Sequence, residues 1–205
     1  DSFVKNLPVN FKIKKVIKNN KINFFKNEIR KNINSNIDII ITSGAVSAGK
    51  FDFIPTLIKK FKLKNIFKGV AIRPGKPLLF ARFVNNKCFF GLPGNPISTA
   101  ACFRFFVLPF IFKSLNFSLE KPIIAKLKNN FSKKSKFTIF IKGKVTFSKR
   151  GYAEFQILKG QESYKIKPFT QSNSWGVFKS GKSKFKKGQY IECYSSSGFN
   201  DFLIN

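Results

Sequence analysis

Residues 37–41, Ile-Asp-Ile-Ile-Ile, form a short β-branched run that leads directly into the glycine- and serine-bearing stretch TSGAVSAGKFD at residues 42–52. A strand that is apolar on both faces belongs inside a sheet covered by helices, so the run is expected to be a central strand of a parallel sheet. Phe53, Ile54, Leu57, Ile58 and Phe61 then recur at helical spacing, which predicts an amphipathic helix after the loop. Strand, glycine loop and helix in that order restrict this part of the chain to an α/β architecture. Neighbouring patterns agree. Val9, Phe11 and Ile13 alternate as a strand would, and Ile22, Phe25, Ile29 and Ile33 repeat as a helix would. Leu78 to Val84 and Lys87 to Phe90 read as two strands of a hairpin about Asn85-Asn86, because asparagine tolerates the left-handed backbone of such turns. A second glycine loop, GLPGNP, opens a long apolar helix from Pro96 to about Leu108, where Pro109 is expected to kink or end it.

The predicted fold class is α/β over residues 1–118: a layered, mostly parallel sheet with helices on both faces. After Glu120-Lys121-Pro122 the texture changes. Short alternating runs at Ile123 to Leu127, Phe137 to Val145, Tyr152 to Leu158 and Tyr190 to Tyr194 are separated by Gly, Ser, Asn and Lys clusters. They predict a small all-β, barrel-like domain over residues 119–205.

Composition excludes several chemistries. There is no histidine, which removes histidine-based acid/base, triad and metal-ligand mechanisms. The three cysteines are widely spaced and form no C-x-x-C pair, so neither a disulfide framework nor a zinc site is expected. The net charge of +30 comes from lysines spread evenly along the chain; a solvated basic surface is favoured over a nucleic-acid groove, and its field attracts small anions. Apolar stretches such as Phe105 to Phe112 fall short of the ~20 residues that span a bilayer, and no charged-then-apolar leader opens the sequence. The expectation is a soluble, cytoplasmic protein without a membrane partner. Methionine is absent even at position 1, and the chain is expected to begin inside a longer protein.

Three turns hold the candidate chemistry. In SGAVSAGKFD, Gly44 and Gly49 permit tight turning while Ser43, Ser47 and backbone amides can face an anion at a helix mouth; the same residues could equally be a plain connection. Asp52 could cap the helix starting at Phe53. Pro55 would then occupy the third helical position and has no N–H to offer, so half of the capping role is missing, which favours Mg²⁺ or a hydroxyl as the carboxylate's partner. In GLPGNPIS, residues 91–98, Asn95 reads as a cap, Pro96 as the first helical residue, and Gly94 as the point where a ligand can approach the backbone. RPGKP, residues 73–77, sets Arg73 and Lys76 in a turn stiffened by prolines. Such a turn either leaves its cations in solvent or mounts them for preorganised anion contacts.

Taken together and in this order, ITSGAVSAGKFDF, VAIRPGKPLLFAR and FFGLPGNPISTA resemble the molybdopterin molybdenumtransferases, the family of bacterial MoeA and the gephyrin E domain. The resemblance is strong over residues 36–115 and loose over the β-rich remainder. It implies insertion of molybdate into adenylylated molybdopterin with Mg²⁺ and release of AMP, by a homodimer whose site is shared with the partner chain. Residue by residue, it implies that Ser43, Gly44 and Ser47 line the pterin-phosphate or oxyanion pocket, and that Asp52 supplies the catalytic and metal-binding carboxylate. Arg73 and Lys76, with Pro77 shaping the turn, would hold molybdate or phosphate. Pro93, Gly94, Asn95 and Ser98 would form a second wall, and Ser172 in QSNSW matches a family serine near the oxyanion.

Some positions depart from the family pattern. Ala45 stands at a usual second glycine, and Asn19-Asn20 replace a frequent acidic pair. The segment about Lys136-Phe137 resembles the motif R-x-x-F-L-R, but its second arginine falls at Ile139. The family's upstream acidic G-D-E-L segment is not in this sequence, so the chain is expected not to turn over by itself. Two other classes remain: a related pterin-binding adenylyltransferase of the same pathway, which should lack RPGKP followed by a β domain, and a non-catalytic basic module binding anions or nucleic acid through lysines generally.

Overall fold

The computed structural model describes residues 9–12, 22–44, 60–83 and 85–198. Residues 9–12 form no strand, unlike the alternation expected from Val9. The rest of that run and most of the helix expected from Phe53 lie outside the described residues.

The chain divides into two compact units: residues 1–70 with 77–94, and residues 71–76 with 95–205. In the first unit, helix α1 (Ile22–Ile33) turns Phe25 and Ile29 into a cluster with Ile40, Leu79, Ala81 and Phe89. Twelve residues are marginal as an isolated helix, so the burial of this face, about 1.5–3 kcal/mol per large side chain, is what holds it. Strands β1 (Ile39–Ser43), β2 (Lys64–Lys68), β4 (Leu79–Arg82) and β5 (Cys88–Leu92) make one sheet in the order β1-β5-β4-β2. The expected hairpin is present: β4 and β5 pair antiparallel, and Asn86 takes the left-handed conformation at φ 65°.

Two expectations need correction. Among the described strands only β1 with β5 is parallel, while β5 with β4 and β4 with β2 are antiparallel, so this sheet is mixed and β1 lies at its end. The second concerns β2, which the sequence does not advertise. Lys64 and Lys68 flank it and Ile66 is exposed, as suits an edge strand guarded by charge.

The second unit is built on a closed barrel. Strands β6 (Ile123–Leu127), β8 (Thr138–Phe147), β9 (Ala153–Ile157), β10 (Ser174–Phe178) and β12 (Tyr190–Ser195) pair in the order β10-β12-β6-β9-β8, and β8 returns to β10. Its interior holds Ala125, Leu127, Ile141, Phe155, Phe178 and Ile191. The strand missed in the sequence is β10, which closes the barrel. Glycine in mid-strand reads as a break, yet Gly176 is needed there: a Cβ on it would lie 2.7 Å from the Phe155 ring. Strands β7 (Phe131–Ser132) and β11 (Lys184–Phe185) form a separate small pair. Strand β3 (Ile72–Arg73) attaches parallel to β8.

Helix α2 (Pro96–Ser114) passes through Pro109 instead of ending. The turn Phe103–Val107 is a π-turn in which Leu108 N–H donates to Phe103 O. This places Pro109 near the start of the next α-helical segment, where its missing N–H is not required. By length and composition this helix could cross a membrane; here Ile97, Ala101, Cys102, Val107 and Leu108 are buried within the protein. Arg104, on the same helix, is buried, pairs with Glu120, and donates from Nε to Ser195 O at 2.9 Å.

Not every lysine is solvated. Lys142 on β8 is 1 % exposed, and its Nζ donates to the carbonyls of Gly160, Glu162 and Lys165 at 3.1, 3.2 and 3.4 Å. Burial lowers its pKa from the usual lysine range, opposed by the nearby Glu162. This ammonium fastens a surface loop to the barrel wall.

Candidate functional site

In the first unit, β1 and β5 run parallel and end together, with Ser43 opposite Leu92. Gly44 follows with φ +88° and donates its N–H to Leu92 O at 3.1 Å. A Cβ built on Gly94 would sit 3.0 Å from Gly44 Cα, so the two glycine turns meet backbone to backbone at the carboxyl ends of the parallel pair. Open α/β sheets take their ligands at such ends. The structure therefore brings Ser43, Gly44, Pro93 and Gly94 together. Ser47 and Asp52 lie outside the described residues.

In the second unit, the turn after Arg73 is pinned from below. Gly75 is buried at φ +111°, and a Cβ there would lie 2.5 Å from Cys102 Sγ and 3.1 Å from Ile72 Cδ1. Only glycine fits this position. Cys102 donates from Sγ to Gly75 O at 3.5 Å, and burial pushes its thiol up to about 12, so it stays a protonated donor. Arg73 and Lys76 are exposed on either side of this anchor. The Arg73 guanidinium carbon stands 4.5 Å from the centroid of the Phe137 ring. Pro77, the last residue of the motif, is grouped with the first unit.

Asn95 caps α2 as expected. Its Oδ1 accepts from Ile97 N–H at 3.1 Å and Ser98 N–H at 3.2 Å, with Pro96 in the first helical turn. Two amides at this helix mouth are thus met by Asn95 itself, and Ser98 is buried. Asn95→Ala is expected to lower stability by about 1 kcal/mol, read as a fall in thermal midpoint. Ser172 uses its hydroxyl locally, donating to Phe169 O at 2.7 Å beside the one-turn helix α3 (Lys167–Thr170). Its carbonyl accepts from Ser196 Oγ at 3.4 Å.

The three glycine-bearing turns, residues 42–52, 73–77 and 91–98, fall within a family match. A family model described as "Probable molybdopterin binding domain" matches residues 2–113. The chain belongs to this family. Curated relatives of this molybdopterin-binding family include a molybdopterin molybdenumtransferase of Synechococcus elongatus, 30% identical over 160 residues, which are 78% of this chain and 38% of that protein. One of Staphylococcus epidermidis is 32% identical over 182 residues, 86% of this chain and 43% of the relative. The chain thus spans about two fifths of the length of these proteins. Among solved structures, the MoeA protein of Pyrococcus horikoshii aligns with TM-score 0.64 at 24% identity, covering 85% of this chain and 41% of that one. A molybdenum cofactor biosynthesis protein of Pyrococcus furiosus aligns with TM-score 0.64 at 17% identity, covering 86% and 55%. These likenesses place the mixed α/β sheet and the barrel in the MoeA fold.

The residue that sequence reasoning passed over is Phe137. Nothing local reveals that its ring lies against an arginine 64 positions earlier. Cys88, Cys102 and Cys193 are all free. Among the described residues no three of His, Cys, Asp and Glu come together.

Proposed function

We propose that the protein containing this chain inserts molybdate into adenylylated molybdopterin, releasing AMP, in molybdenum cofactor biosynthesis. The observation that carries this reading is the RPGKP turn. Gly75 is locked against Cys102 and Ile72 while Arg73 and Lys76 stand exposed, so two cations are held out on a fixed backbone. Preorganised positive charge of this kind suits a tetrahedral oxyanion, because the turn needs little reorganisation when the anion's charge shifts during transfer. The relatives named molybdopterin molybdenumtransferase support the same reaction class.

In this proposal Arg73 and Lys76 hold molybdate or phosphate, with Pro77 shaping the turn. Ser43, Gly44 and Ser47 face the pterin phosphate, and Pro93, Gly94, Asn95 and Ser98 form the second wall. Ser172 is assigned near the oxyanion on the resemblance alone, since its hydroxyl already serves Phe169. Asp52 is the carboxylate for catalysis and for Mg²⁺. The described residues offer no ligand cluster for that ion. The reading extends to a cytoplasmic homodimer without a nucleic-acid or membrane partner, to the division at residues 118/119, and to a layered sheet with helices on both faces. A closed barrel after RPGKP favours it over a related adenylyltransferase, for which that succession is not expected.

The test is molybdate-dependent cofactor synthesis by the intact protein. Lys76→Ala and Asp52→Ala are each expected to lower the rate by about 100- to 1000-fold, the scale of losing one preorganised charge contact, with an unchanged thermal midpoint. Wild-type rates in both variants would overturn the assignment.

A further inference from the structure

We infer that the barrel is the mount of the cationic turn, and that Phe137 is the positioning residue that orients Arg73 for the oxyanion. This inference rests on the reading of RPGKP given above. Residues 71–76 are grouped with the barrel unit although the chain enters them from the other. Backbone contacts explain why. Ile72 pairs with Thr138 and Arg73 with Ile139 in parallel register, and Thr138 N–H donates to Ala71 O at 3.0 Å. On its other side Phe137 is held by its carbonyl, which accepts from Lys133 Nζ at 2.7 Å. Thr138 is fixed in turn by its Oγ1, which accepts from Ser180 N–H at 3.1 Å. The ring beneath Arg73 therefore belongs to the residue that leads into β8, and the chain on both sides of it is held by hydrogen bonds.

The chemistry of the pairing matters. An exposed arginine ordinarily samples many rotamers, and ordering it opposes binding. A carboxylate partner would restrain it but would also occupy its N–H donors and cancel its charge. An aromatic face restrains it differently. At 4.5 Å over the ring centroid the guanidinium meets an aromatic face, a contact that cancels none of its charge and leaves its N–H donors for a ligand with two adjacent oxygens. The structure combines an aromatic face, a paired β3 and a buried Gly75, and so holds Arg73 ready while, among the described residues, no carboxylate pairs with it.

The experiment is steady-state cofactor synthesis by the intact protein over a range of molybdate concentrations, with Phe137→Leu, Phe137→Tyr, Arg73→Ala and the double variant Arg73→Ala/Phe137→Leu. Phe137→Leu is expected to raise KM for molybdate about three- to tenfold, the range of a lost cation–π contact, with the thermal midpoint retained. Phe137→Tyr, which keeps the aromatic face, is expected to restore the wild-type KM. In the Arg73→Ala background, Phe137→Leu is expected to add nothing. An unchanged KM in Phe137→Leu, or an equal loss with and without Arg73, overturns the inference while the reading of the turn stands. Wild-type kinetics in Arg73→Ala would overturn both.

Discussion

Glu120→Ala is expected to destabilise the protein by about 3–5 kcal/mol, because it strands a guanidinium inside the second unit. Arg104 is 3 % exposed and the Glu120 side chain 9 %. Nη2 of Arg104 pairs with Glu120 Oε2, while the second carboxylate oxygen accepts from Ser195 N–H and Oγ, each at 3.4 Å. Burial alone pulls the Arg104 pKa below the usual arginine range, and the Glu120 carboxylate opposes that pull. Removing the carboxylate leaves the desolvation and deletes its compensation. Urea unfolding should show a lower midpoint with an unchanged slope. Arg104→Met combined with Glu120→Leu should recover much of the loss, since an apolar pair carries no desolvation penalty. A double variant no better than Glu120→Ala would mean that the Arg104 contact to Ser195 O, and not charge compensation, is what matters.

Gly143→Ala is expected to have the next largest effect, destabilising the barrel by about 1–3 kcal/mol or more through overpacking. A Cβ at Gly143 would fall 2.1 and 2.3 Å from two atoms of the Phe155 ring and 2.7 Å from Gln156 O. The ring cannot retreat, because Phe155 is fully buried and also lies against Gly176. Phe155→Leu should therefore relieve part of the Gly143→Ala loss. Gly151→Ala separates space from backbone strain: it has φ +76° but nothing within 4 Å, and should cost about 1 kcal/mol. Chemical denaturation of the three variants reads the comparison directly.

These two sites also show what the sequence could reveal. Local chemistry was legible: Asn86 in its turn, Asn95 as a cap followed by Pro96, and four of the five barrel strands by their alternation. Long-range fits were not. Gly176 looks like a strand breaker until Phe155 is seen lying on it, and Lys142 looks like surface charge until three carbonyls from residues 160–165 surround it. Pro109 reads as a kink or an end because nothing local foretells the π-turn that accommodates it. The candidate site divides similarly. Glycine and proline mark turns by their own backbone limits, so Gly44 and Gly94 are legible in the sequence, whereas the fit of Gly75 against Cys102 is not. The ring under Arg73 is a tertiary contact. Ser172, chosen by resemblance, turns out to have its hydroxyl engaged with Phe169.

The most direct measurement is the dissociation constant of molybdate for the intact protein, by calorimetry at low and moderate salt, in wild type, Arg73→Ala, Lys76→Ala and the exposed-surface control Lys149→Ala. The account predicts roughly tenfold weaker binding in each turn variant, no change in Lys149→Ala, and a difference that persists at moderate salt. Equal weakening in all three variants, disappearing as salt rises, would identify diffuse attraction by a basic surface and contradict the claim that the RPGKP turn is the oxyanion holder.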